Sequence, residues 1–283
     1  MQVYLTFDDG IQEGTEEVLA VLQETQVRAT FFLVGLQLDF SMRKNPEKTT
    51  RLLKEIFLNH RIANHSYSHA HDQYADYYSN NGIRIDDQGN RRSILMDFEK
   101  SKKTIVQLVK AIPGLAYSHQ QLFAELQRMS VARLPGRNTW YVSVPGNIRD
   151  RTQPLIKYLE ADSQTGAEEL YQAGYDIFGW NTEWRMTFDS YHDASSDIDR
   201  YALENSWKDR PVEQWEEVRN KMLKTAIGNK VILLMHERAF RAGTGKKETA
   251  ELQSLIEYFK ETGATFHTID EYNNIPFASP SLK

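Results

Sequence analysis

Short apolar runs alternate with amphipathic helical segments along the whole of this sequence. Two of the runs, 29–34 and 230–235, are mostly apolar, as expected for strands buried on both faces of a parallel sheet. About seven strand–helix units follow one another without an internal repeat or a linker that divides the chain. The pattern predicts one α/β domain over residues 1–283, most simply a barrel of βα units, with an open doubly wound sheet as the alternative.

Hydrophobic periodicity sets the predicted element boundaries. The long polar segments 70–92, 136–162 and 185–209 are predicted to be loops at one rim of the fold, and the tail from Tyr272 onward is predicted to be a surface extension. The predicted helices are 14–25, 47–59, 93–111, 119–129, 164–173, 212–227 and 247–262, and the predicted strands are 2–7, 29–34, 61–64, 131–134, 175–180, 230–235 and 264–269.

The composition is that of a globular protein: 40% of the 283 residues are hydrophobic and the formal net charge is −5. The sequence has no basic run that would indicate nucleic acid, and no apolar stretch reaches the ~20 residues of a transmembrane helix. Cysteine is absent, so any bound metal must use His, Asp or Glu. The first predicted strand leaves no room for a signal peptide. We therefore expect a trimmed mature form in the periplasm or outside the cell, with a cytoplasmic location as the alternative.

Polar residues with metal-binding and proton-transfer chemistry follow several of the predicted strands. Asp8 and Asp9 end the first strand, and His65 and His69 follow the third. Because parallel strands end at one rim, Asp9 can complete a site of two histidines and one carboxylate, which leaves positions open for water and substrate. On an extended backbone adjacent side chains diverge, so one Asp can bind the metal while the other transfers protons. The alternatives are a solvated Asp-Asp-Gly turn and a pair of surface histidines.

Two further residues end predicted strands near the same rim. His236 ends the most apolar strand and can act as a general acid, although a lone His there can also be a core residue. Arg133 ends another strand and, unless it is an ordinary surface arginine, can hold a catalytic carboxylate ionised.

Together these residues form a known set of motifs, in the order and spacing of the polysaccharide deacetylases with a NodB homology domain, carbohydrate esterase family 4. The chain resembles that family in four places. The matching residues are Thr6-Phe7-Asp8-Asp9-Gly10, then His65-Ser66 with His69, then Arg133 with Pro135, and finally Leu234 with His236.

The resemblance implies a distorted (β/α)7 barrel and a metal-dependent hydrolase that removes N-acetyl groups from N-acetylhexosamine units of a polysaccharide or oligosaccharide. It implies a general base at Asp8, a general acid at His236 and a tethering residue at Arg133. It also implies a divalent metal, usually Zn²⁺ with Co²⁺ or Ni²⁺ possible in its place, bound by three ligands, namely Asp9, His65 and His69. The alternatives are a deacylase of an O-acyl sugar or small amide, and a carbohydrate-binding pseudoenzyme.

The chain departs from the family pattern where a substrate groove is expected. Gly136-Arg137 follow Pro135, where the family usually has an aromatic residue. The usual Asp-Trp of the fourth motif is matched best by Glu183-Trp184, with Asp176 and Trp180 as a second candidate. We expect Trp180 to pack in the core. The residues predicted to line the groove are Pro135, Trp140, Trp184 and Leu234.

Overall fold

A computed structural model of the chain describes residues 1–82, 93–138, 140, 163–184, 213–241 and 246–272. Its strands are β1 Gln2–Asp8, β2 Thr30–Leu33, β3 Arg61–Asn64, β4 Val131–Ala132, β5 Asp176–Ile177, β6 Thr182–Glu183, β7 Lys230–His236 and β8 Thr265–Phe266. Its α-helices are α1 Thr15–Glu24, α2 Gly35–Lys44, α3 Pro46–Asn59, α4 Tyr74–Ser79, α5 Ile94–Ala111, α6 Leu115–Ser118, α7 Gln120–Arg128, α8 Gln164–Gln172, α9 Trp215–Thr225 and α10 Lys246–Glu261.

Seven parallel strands in the order β5-β4-β3-β2-β1-β7-β6 curl into a half-barrel, and β8 pairs with the start of β1. The predicted α/β fold with seven parallel strands is confirmed. The central strand β1 pairs in parallel with both β2 and β7, which brings Asp8 beside Phe32 on one side and His236 on the other. Within the described ranges, no strand pairing joins the edge strands β5 and β6.

The core lies on both sides of this sheet because side chains alternate along a strand. Val3, Leu5 and Phe7 point outward and pack under the helices in the largest hydrophobic cluster. Tyr4 points inward, into a smaller cluster that fills the half-barrel. The inner cluster consists of Tyr4, Phe32, Ala63, Val131, Phe178, Ile232, Ile269 and Tyr272.

Most predicted elements are present with shifted ends, and several predictions are corrected. Residues 35–44 form α2, a helix that the hydrophobic pattern did not predict. Three predicted strands are short, because only 131–132, 176–177 and 265–266 pair with neighbours. Tyr272 is fully buried rather than on a surface extension, since its ring packs against Tyr4 and Phe178.

The loop predictions lie largely outside the described residues. The residues that the structure does not describe are 83–92, 139, 141–162, 185–212, 242–245 and 273–283. The described part of the first predicted loop contains α4, so it is not wholly irregular. Over the parts of the chain that the structure covers, none of the helices has the length and apolar character that crossing a bilayer requires.

Candidate active site

The same alternation that fills the half-barrel also delivers polar side chains to its rim. Continuing in steps of two from the inner-cluster residues of β1, β3, β4 and β7 leads to Asp8, His65, Arg133 and His236. Parallel pairing aligns the ends of these strands, and Asp8 and His236 are register partners. The strand register therefore brings these residues together at one rim of the sheet.

Asp9 reaches the same place by leaving the extended conformation. Its φ is 75°, and its backbone N–H donates to the carbonyl oxygen of Phe32 at 3.2 Å. On a regular strand the two carboxylates would point to opposite faces. With this turn both face His65, whose Nε2 lies 3.5 Å from Asp8 Oδ2 and 3.7 Å from Asp9 Oδ1.

Three potential metal ligands converge at this rim. One oxygen or nitrogen atom from each of Asp9, His65 and His69 lies within 4.8 Å of the other two. His69 Nε2 is 3.3 Å from Asp9 Oδ1. That oxygen is buried, and no hydrogen-bond donor in the described part of the chain reaches it. Two imidazole nitrogens and one carboxylate oxygen fit a divalent transition metal ion and leave coordination positions for other ligands.

Both imidazoles are oriented through their second nitrogen. His65 Nδ1 donates to the carbonyl oxygen of Arg133 at 2.9 Å, and His69 Nδ1 donates to Asp72 Oδ1 at 3.0 Å. When the two rings are neutral, Nε2 is the nitrogen of each that can bind a metal ion. Asp72 was not predicted from the sequence, although a carboxylate three residues after a candidate ligand is a signal that could have indicated it.

The turn that carries His69 has an unusual backbone. His69, Ala70, His71 and Asp72 have φ values of 51°, 56°, 47° and 59°. Ser66, between His65 and His69, also has a positive φ of 65°, so the segment that joins the two histidines is not a right-handed helical turn. The rings of His65 and His69 still meet, with centroids 5.0 Å apart. Non-glycine residues in this conformation cost roughly 1–2 kcal/mol each, so neighbouring contacts must hold the turn.

Hydrogen bonds from neighbouring side chains supply that support. Ser66 Oγ accepts from the backbone N–H of His69 at 3.0 Å, and Ser68 Oγ accepts from that of Ala70 at 3.1 Å. Asp97 Oδ2, from α5, accepts from Ser68 Oγ at 2.8 Å and from the hydroxyl of Tyr77 at 3.0 Å. The sequence offered no signal for Asp97, which lies within an ordinary amphipathic helix.

Arg133 is fully buried and holds Asp8 in place. Its Nη1 donates to Asp8 Oδ1 at 2.7 Å and to Thr6 Oγ1 at 2.9 Å. Its other nitrogens donate to the carbonyl oxygens of Phe178 and Gly179. This charge-assisted bond from a buried guanidinium fixes the direction of the carboxylate. Arg133 is therefore not a surface residue.

His236 lies across the site with part of its side chain exposed. Its Nε2 is 4.0 Å from Asp9 Oδ2, so it borders the three-ligand cluster without belonging to it. That position leaves the imidazole accessible to a ligand that enters the rim.

Close packing of charges shifts the pKa values in this cluster. Burial raises the pKa of Asp9, but His69, His236 and His65 outweigh that effect and lower it overall. Burial lowers the pKa of His69, yet Asp9 and Asp72 together raise it to about 9. Burial is the largest effect on His65 and lowers its pKa, which favours the neutral ring that binds metals.

Comparison with known proteins agrees with this geometry. The family model for polysaccharide deacetylase matches residues 1–122, which contain Asp8, Asp9, His65 and His69. A chitin disaccharide deacetylase of Vibrio alginolyticus is 24% identical over 95% of this chain and 71% of its own length. Residues 1–122 thus match the polysaccharide deacetylase family, whose activity is the hydrolysis of an amide bond.

Other relatives and solved structures extend the comparison. A peptidoglycan-N-acetylglucosamine deacetylase of Bacillus cereus is 38% identical over 94 residues, 32% of this chain and 31% of that protein. The catalytic domain of a peptidoglycan N-acetylglucosamine deacetylase from Eubacterium rectale superimposes with a TM-score of 0.54 at 18% identity, covering 100% of this chain and 93% of that one. A Streptococcus mutans CE4 esterase gives 0.53 at 21% identity, with coverages of 94% and 85%. At these identities the structures establish a shared fold.

The predictions for the groove residues are corrected in part. Trp140 and Trp184 are only 1% and 3% exposed, so neither presents a ring to a ligand in this structure. Trp184 packs in the outer core and its indole N–H donates to the carbonyl oxygen of Glu213. Trp180, expected in the core, is half-buried and packs against the inner cluster, with its ring centre 5.5 Å from the Arg133 guanidinium carbon.

Pro135 and Leu234, the other two predicted groove residues, are both buried. The carbonyl oxygen of Pro135 accepts from the hydroxyl of Tyr78 at 2.7 Å, and Leu234 occupies the inward-facing position before His236 on β7. Their assignment to the substrate groove stays a prediction.

Proposed function

We propose that this deacetylase removes N-acetyl groups from N-acetylhexosamine units of a polysaccharide or oligosaccharide. The observation that carries the proposal is the arrangement at the rim, where the Arg133–Asp8 pair adjoins the cluster of Asp9, His65 and His69, with His236 opposite. The relatives whose names state a substrate act on chitin disaccharide, chitooligosaccharides or the N-acetylglucosamine of peptidoglycan. These substrates share the N-acetylglucosamine unit, which we therefore propose as the unit recognised here.

The donor set fits a divalent metal ion, and we propose zinc. When bound by Asp9, His65 and His69, such an ion supplies Lewis acidity that activates water and polarises an amide carbonyl. His65 and His69 are prepared for this role by their hydrogen bonds to the Arg133 carbonyl and to Asp72.

Asp8 and His236 are assigned the two proton transfers. Asp8 accepts the proton of the attacking water, while Arg133 and Thr6 hold the Asp8 side of the rim rigid. His236 donates a proton to the nitrogen as the C–N bond breaks, because an amide anion is a very poor leaving group. The carbonyl carbon leaves as acetate, and the sugar keeps a free amine.

Two other activities compete with this proposal. A carbohydrate-binding pseudoenzyme would be expected to lack Asp8, a metal ligand or His236, and all are present at the rim. An O-acyl sugar or a small amide would use the same residues, so substrate trials must separate those activities from N-deacetylation.

The test is acetate release from N-acetylglucosamine oligomers by the full chain, after treatment with chelator and again after zinc is restored. We expect acetate only when zinc is present. Equal release with and without metal would contradict the proposed site. Stoichiometric zinc binding without acetate release from any N-acetylated glycan would contradict the proposed substrate.

A further inference from the structure

Tyr74 stands directly against the turn that carries the proposed metal ligand His69. Its ring is perpendicular to the His69 ring, at 89°, with centroids 5.7 Å apart. Its hydroxyl donates to Asp72 Oδ1 at 2.9 Å, and the same oxygen accepts the bond from His69 Nδ1. The ring is therefore fixed at both its edge and its hydroxyl with respect to the metal site.

Gly136 makes room for this ring. A Cβ atom added at Gly136 would lie 2.7–2.8 Å from three carbons of the Tyr74 ring. Nearly equal distances to Cγ, Cδ1 and Cε1 place that Cβ position over the face of the ring, not beyond its edge. Tyr74 thus occupies the space that a side chain at 136 would fill, at the position where the sequence lacks the aromatic residue usual in the resembling family.

The segment from Tyr74 to Tyr78 is anchored to the same turn. The Tyr78 hydroxyl donates to the carbonyl oxygen of Pro135 at 2.7 Å, and the Arg137 guanidinium lies 4.8 Å from the centre of the Tyr78 ring. Two tyrosines from one short helix therefore fasten α4 to residues 135–137. Helix α4 therefore connects the His69 turn to the turn that follows Arg133.

Tyr74 is also available to a ligand. It is only half-buried at the rim, whereas Trp140 and Trp184 are inside the core. Aromatic rings with an apolar face and a fixed polar tip commonly line ligand sites. We propose that Tyr74 is a specificity-determining residue of the deacetylase, which packs its ring against the sugar whose acetamide occupies the site. This inference rests on the proposed function, since it names a contact to that substrate.

Substitutions of Tyr74 separate the sugar contact from support of the metal ligand. Tyr74→Leu removes the aromatic ring and the hydroxyl, whereas Tyr74→Phe removes only the hydroxyl. An aromatic contact contributes roughly 0.5–1.5 kcal/mol beyond burial, so Tyr74→Leu should raise KM for an N-acetylglucosamine tetramer by about 2- to 12-fold. Tyr74→Phe keeps the ring, so its KM should stay close to that of the unmodified chain. Tyr117→Leu, at a position 86% exposed, is the matched control and should match the unmodified chain.

Tetramer affinity measured by calorimetry on metal-free protein gives a second readout, and we expect its Kd to follow KM. Unchanged KM and Kd in Tyr74→Leu would overturn the proposal, as would equal losses in Tyr74→Leu and Tyr74→Phe, which would mean that the hydroxyl alone matters. If the unmodified chain binds the tetramer but releases no acetate, the proposed reaction fails, while the Kd comparison still decides the role of Tyr74. If the unmodified chain does not bind the tetramer, the sugar contact fails as well.

A double substitution tests the geometry itself. Gly136→Ala places a methyl group against the Tyr74 ring and should displace it, with a rise in Kd close to that of Tyr74→Leu. The backbone cost at φ 61° is the same in both backgrounds. Adding Gly136→Ala to Tyr74→Leu should therefore change Kd by less than about 2-fold further. Full additivity of the two substitutions would contradict the proposed contact.

Discussion

The roles of the two adjacent aspartates can be tested by replacing Asp8 with Asn. In the structure Asp8 Oδ1 accepts a hydrogen bond from Arg133 Nη1 at 2.7 Å, and asparagine keeps an oxygen that can accept it. The substitution removes the charge and the basicity while it preserves shape and one hydrogen bond. It therefore tests the proposed general base with little change to the surrounding structure.

The structure allows both the kinetic and the stability effect to be estimated. General-base catalysis contributes roughly 10²- to 10⁴-fold, so kcat should fall by that factor, or about 3–5 kcal/mol of transition-state stabilisation. Removing the partner of a buried charge costs roughly 3–5 kcal/mol, and Arg133 is fully buried. Because asparagine still accepts its hydrogen bond, the free energy of unfolding should fall by less, about 2–3 kcal/mol.

The assay compares Asp8→Asn with Asp9→Asn after both are loaded with zinc and freed of excess metal by gel filtration. Metal per chain, kcat for acetate release from an N-acetylglucosamine tetramer and the urea midpoint are measured on each. Asp8→Asn should keep its zinc and lose turnover. Asp9→Asn should lose zinc, because a neutral amide replaces the only carboxylate among the three proposed ligands.

Two results would refute the reasoning. If Asp8→Asn lost zinc while Asp9→Asn retained it, the two roles would be reversed. If Asp8→Asn kept both its zinc and the kcat of the unmodified chain, Asp8 would not be the general base.

Three further predictions concern buried contacts. Arg133→Lys cannot reproduce the guanidinium's hydrogen bonds to four oxygens. We therefore expect kcat to fall at least about 10-fold and the urea midpoint to drop. Unchanged values would contradict the proposed role of Arg133 in holding Asp8. Burial, assisted by the charge of Arg28, lowers the pKa of His60 to about 4. Between about pH 6.5 and pH 4 the unfolded chain therefore binds more protons than the folded chain, so stability falls as the pH drops through that range. In urea titrations with chelator, the free energy of unfolding should fall between pH 7.5 and pH 5 by about 2 kcal/mol less in His60→Gln than in the unmodified chain. An identical fall in both would refute this. Asp97→Ala leaves the buried donors of Ser68 and Tyr77 unpaired, which should cost about 2–4 kcal/mol and weaken zinc affinity in a competition assay; unaltered affinity would show that the His69 turn holds its shape without Asp97.

The sequence by itself determined which residues reach the rim. Apolar runs with two-residue alternation place side chains on one face of each strand, and parallel strands align their ends. Those local rules are enough to bring Asp8, His65, Arg133 and His236 to the same end of the sheet. Helices such as 94–111 and 46–59 were likewise predictable, because their apolar stripe is encoded in consecutive residues.

Only the tertiary structure decided what each of those residues touches. Arg133 meets Asp8 across 125 positions of sequence, and no local pattern encodes that separation. Burial of Trp140 and Trp184 depends on helices and turns that come from distant segments, so a position beyond a strand end did not predict exposure. The contact between Tyr74 and Gly136 likewise joins two distant segments, so no local pattern predicted it. Periodicity determines the direction of a side chain, whereas its neighbours depend on how separate elements pack.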